Sequence, residues 1–208
     1  MNSDIDISAE KSLDESIKWW HSKWAATGWL DLPDEAAHKV WVRSMAYALY
    51  SHNDDGFGTS PPFGLTGIGW PFPFPFDSGF RHMLLLSTGQ LDTVKTWIEY
   101  YHSRIDGLKK YTKRLMKKDG LMMPHVFPYG PFEGYHDPVV PNRHYTHIGT
   151  TGHLVRMVDQ TAVVLDDPKW TDKYVKPLLE QAALYYLNCL TKGDDGQWHL
   201  YVYPFYVC

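Results

Sequence analysis

Apolar residues recur three and four positions apart over most of the chain, and stretches rich in Pro and Gly interrupt that rhythm. Ser12-Leu13-Asp14-Glu15 has the form of a capping box and predicts the start of a first helix, in which Ile17, Trp20 and Trp24 continue at helical spacing towards Gly28. Pro33, Asp34 and Glu35 open a second helix to about Ser51, with Val40, Trp41, Met45, Ala48 and Leu49 on its apolar side. A third is expected from Asp77 to about Thr88, with Asp77 or Ser78 as N-cap and Gly89 after its end. The fourth has the most regular pattern: Val94, Trp97, Ile98, Tyr101, Ile105, Leu108, Tyr111 and Leu115 step by three or four until Asp119-Gly120. A fifth spans Thr151 to Leu165, where Asp166-Asp167-Pro168 breaks it. The sixth runs from about Trp170 to Thr191 with Val175, Leu178, Leu179, Ala182, Tyr186 and Cys189 inward. Residues 197–208 alternate as a strand or extended segment would.

Two long stretches separate these helices into three pairs. Residues 52–76 hold five Gly and five Pro, including Trp70-Pro71-Phe72-Pro73-Phe74-Pro75-Phe76, and no helix survives that spacing of prolines. Residues 121–150 are again rich in Pro, Gly, His and Tyr. There is no βαβ alternation and no short-period repeat. The fold class expected is all-α: a partial (α/α)6 toroid of about three helical hairpins with long aromatic loops. Residues 1–208 then form a linker helix plus the N-terminal half of one α/α-barrel domain. Apolar faces left without neighbours in such a half imply a missing C-terminal half or self-association.

Composition narrows the function. Nine Trp, fourteen Tyr and nine Phe make up 15% of the chain, and many lie in loops, where rigid flat faces line clefts and stack on flat ligands such as sugar rings. A net charge of −4 argues against a nucleic-acid binder, which needs a basic stripe to neutralise phosphates. Lys109, Lys110, Lys113, Arg114, Lys117 and Lys118 fall on one helix face and are expected to be solvated. No apolar run is long enough for a membrane span, and the polar, acidic N-terminus is not a secretory signal, so a cytoplasmic location is expected. Cys189 and Cys208 give neither a disulfide framework nor a metal motif, and Cys189 reads as core. His136, Asp137, His144, His147 and His153 are the densest histidine group, but no pair has the helical spacing of a metalloprotease; no metal and no cofactor are expected.

Pro75-Phe76-Asp77-Ser78-Gly79-Phe80, continued by Leu84-Leu85-Leu86-Ser87-Thr88-Gly89 and a long helix to Gly120 and Pro124, resembles the six-hairpin glycosidase superfamily. Within it the likeness is to inverting enzymes of the maltose-phosphorylase and α-L-fucosidase type. Ser12 to Tyr50 resembles their linker and first barrel helices, and Asp194-Asp195-Gly196-Gln197-Trp198-His199 the turn after the sixth helix. The resemblance implies an oligo- or polysaccharide substrate, cleaved by hydrolysis or phosphorolysis. It implies that Asp77 hydrogen-bonds the sugar in the reactive subsite, that Trp70, Phe74 and Phe76 are stacking walls, and that Glu133 contacts substrate. The family's general acid is a Glu just after the extended stretch that follows the sixth helix. No Glu follows Glu180 in this sequence, so these residues alone are expected to turn over little or nothing.

Simpler readings compete. Asp77 serves equally well as a helix cap, Asp54-Asp55-Gly56 as a turn, and Glu133 as a solvated loop residue. Asn142, His144 and Tyr145 in an acid/base role would point to a polysaccharide lyase or sugar epimerase on a similar toroid. A non-catalytic helical module that binds carbohydrate or protein through its aromatic loops is the alternative outside enzymes.

Overall fold

The computed structural model describes residues 8–51, 74–125, 127 and 148–200. They are mostly helical, with one two-stranded hairpin. Helix α1 (Ala9–Ala26) starts a turn ahead of the expected Ser12, because the Ser8 hydroxyl caps it by accepting from the Lys11 N–H at 3.2 Å. None of its residues is buried. Helix α2 (Glu35–Tyr50) is capped by Asp34, whose carboxylate accepts from the Ala37 N–H at 2.7 Å. Met45, Ala48 and Leu49 are buried as the spacing predicts, but Val40 is 65% exposed. It lies about 100° round the helix from the Trp41–Met45–Ala48 line and falls on the outer face with Tyr47.

Helix α3 (Pro75–Ser87) begins before Asp77, and neither Asp77 nor Ser78 is its cap. Phe74 holds the N-cap position and Pro75 the first helical one, where a missing N–H costs nothing. The helix ends in a Schellman motif: Gln90 N–H reaches Leu85 O at 2.8 Å and Gly89 N–H reaches Leu86 O at 3.3 Å, with Gly89 at φ 85°. Gln90 is buried in this turn and staples α1 to it, donating its side-chain amide to Lys23 O at 3.1 Å and Thr27 Oγ1 at 2.7 Å.

The expected fourth helix is two, α4 (Leu91–Ser103) and α5 (Ile105–Met116), divided at Arg104 (φ −103°, ψ 5°). The apolar period passes unbroken through the division, which is why the pattern does not reveal it. Helix α6 (Gly149–Leu165) ends at Asp166, left-handed at φ 46°. Helix α7 (168–189) starts two residues ahead of the expected Trp170, because Asp167 caps it and Pro168 fills its first position. It comprises Pro168–Trp170, a π-helical turn Thr171–Val175 and Lys176–Cys189. Pro177 stands two residues after the π-helical turn, and the widened turn accommodates a proline that would otherwise strip a bond from a regular helix. The helix stops at Cys189 because Leu190–Lys192 (β1) pairs antiparallel with Trp198–Leu200 (β2).

Leu85 of α3, Trp97, Ile98 and Tyr101 of α4, Leu108 of α5, Val158 of α6 and Leu178 of α7 meet in one core. The chain after α5 also enters it. Leu121, Met122 and Met123 are fully buried, and their backbone N–H groups donate to Gln181 O (2.8 Å), Thr112 Oγ1 (2.8 Å) and Thr151 Oγ1 (2.9 Å). A buried extended segment with every donor satisfied is thus clamped to α5, α6 and α7. On the outer face of α5, Lys109, Lys110, Lys113, Arg114 and Lys117 are exposed, as expected of a solvated stripe.

Gly120 sets the depth of that clamp. Its φ is 101°, and a Cβ there would lie 2.3 Å from the Tyr185 backbone nitrogen. Gly120→Ala is therefore expected to cost about 3 kcal/mol from strain and overlap together, read as a shift in the urea midpoint. An unchanged midpoint would show that the segment packs elsewhere.

Candidate functional site

Helices α3 and α6 run parallel in close contact. Phe76 meets His153, Gly79 faces His153 and Arg156, and His82 bonds Thr161, so both N-terminal ends lie together. A Cβ on residue 79 would come within 2.4 Å of His153 Nδ1, so this approach requires glycine. Arg156 closes the seam by donating through Nη2 to Gly79 O at 2.9 Å, with His153 Nδ1 at 3.3 Å. A guanidinium only donates, so the His153 ring that accepts here is neutral with its proton on Nε2.

The first turn of α3 carries two of the residues the resemblance singles out. Phe76 is half-buried, its ring 4.4 Å from His153 in edge contact, and Phe80, 54% exposed, lies beside both. Asp77 is also half-buried, in the turn where a carboxylate complements the helix dipole. Phe74 is 4% exposed and sits edge-on to His125 at 5.3 Å. The buried segment 121–123 delivers His125 to this end through Pro124. Two aromatic rings with open surface, one carboxylate, a neutral imidazole and a cation thus gather at one end of a helix pair. Such a set can stack on a ring and hydrogen-bond its hydroxyls. Trp70, Glu133, His144 and Tyr145 lie outside the described residues, as do His136, Asp137 and His147. Among the described residues no group of His, Cys, Asp and Glu could hold a metal ion. No helix of the described residues is long and apolar enough to cross a membrane.

In the sequence His153 stands out only as part of a histidine cluster, and His125 and Arg156 belong to no motif. The usable signal was position: His153 and Arg156 fall in the first two turns of α6, at helical spacing.

Below this end the seam holds a buried relay. His82 is fully buried and its Nε2 lies 2.8 Å from Thr161 Oγ1, which donates to Met157 O at 2.8 Å. The hydroxyl has spent its proton on the carbonyl, so His82 donates from Nε2 and keeps Nδ1 bare. Burial, reinforced by the nearby Arg156 charge, lowers its pKa from 6.5 to about 4. Alongside this bond the two helices border a groove of about 770 Å³ lined by Phe80, Met83, Val163 and Val164, with Asp159 on its wall.

The relay predicts an acid limb. The unfolded chain takes up a proton on His82 near pH 6.5 and the folded chain only near 4, so stability is unaffected above 6.5 and falls as pH drops between the two. The loss from pH 7 to pH 4 is expected to be about 3 kcal/mol by urea unfolding, and His82→Gln should remove most of it. Equal acid limbs in the two proteins would contradict a neutral buried His82. No protein-family model matches the chain, and no curated protein matches it.

Proposed function

We propose that this chain belongs to a carbohydrate-active enzyme, a glycoside hydrolase or phosphorylase of the inverting six-hairpin type. In this reading its helices are the linker and first half of an (α/α)6 toroid. The sugar binds where the N-terminal ends of α3 and α6 meet. The observation that carries the reading is that Phe76 and Asp77 of α3 share that end with His153 and Arg156 of α6. A second support is the setting of the helices. The parallel pair α3 and α6 is followed in each case by a helix folded back through a short turn, the unit such a toroid repeats.

The roles follow from the chemistry of the side chains. Phe76 offers an aromatic face to the apolar side of the ring. Asp77 accepts from one or two sugar hydroxyls, and a charged acceptor makes these the stronger bonds of the site. His153, neutral and oriented by Arg156, presents an Nε2–H donor. Inverting cleavage needs a carboxylic acid on the departing oxygen and, opposite it, either a carboxylate-activated water or phosphate. Asp77 holds and orients the sugar in this scheme and performs neither of those steps.

Binding is accordingly the property to measure. A panel of gluco- and fuco-configured disaccharides, titrated into the purified chain by calorimetry, is expected to contain a ligand. Asp77→Asn should weaken its affinity about tenfold or more, the loss of a charge-assisted bond, and Phe76→Ala should act similarly, with melting temperatures close to the parent's. No binding across the panel, or binding indifferent to both substitutions, would overturn the assignment.

A further inference from the structure

We draw no further inference here: the strongest candidate, the apolar groove between α3 and α6 lined by Phe80, Met83, Val163 and Val164, carries nothing because nothing in the structure shows what covers it.

Discussion

Residue 79 has no side chain, and the geometry of the α3–α6 seam follows from that. With any larger residue, His153 and Arg156 would be pushed off α3, and the guanidinium would lose the Gly79 carbonyl that anchors it. The contact is tight at Gly79 and continues through the His82–Thr161 bond, with an apolar groove running alongside it. A helix pair fixed at one end holds its first turns at a constant separation. Phe76, Asp77 and His153 all sit in those turns, so the same constraint that packs the core also positions the proposed sugar contacts.

The buried segment after α5 acts on the same end from below. Leu121, Met122 and Met123 fill the space between α5, α6 and α7, and the side chains that take their N–H groups are Thr112 and Thr151, small enough to sit inside the core. Met123 bonds the first turn of α6, and two residues later His125 touches Phe74 at the cap of α3. A hydrogen bond at α6 and a ring contact at α3 thus couple both helix starts to the interior, so neither is set by its own loop alone. Tyr186 adds a further tie, donating to Ile148 O at 2.9 Å where α6 begins.

Much of the helical order was legible because it rests on periodicity, and the burial of Met45, Leu49, Leu108, Leu178 and Cys189 follows the apolar spacing. What periodicity cannot register was missed. A division at Arg104 leaves the spacing intact, and a proline at a first helical position outweighs an Asp as the start signal of α3. Residues 121–123 have an apolar run too short to distinguish a buried connector from a loop, and their partners lie far away in sequence. At the proposed site, Phe76 and Asp77 stand out by motif resemblance, and both are half-buried in the first turn of α3. His153 and Arg156 come from another helix, and only the seam brings them near. The ring contacts of Trp29 likewise come from Trp24 of α1 and from His38 and Trp41 of α2, which its place in the sequence does not show.

The central claim is that ligand chemistry is concentrated where α3 and α6 begin. Hydrogen–deuterium exchange of the chain, free and saturated with the tightest-binding disaccharide, tests it most directly, since it maps protection along the whole backbone. Added protection is predicted in the first turns of α3 and α6 and in the segment ending at His125. Protection confined to the α1–α2 connector, or to the groove around Met83 and Val163, would contradict it.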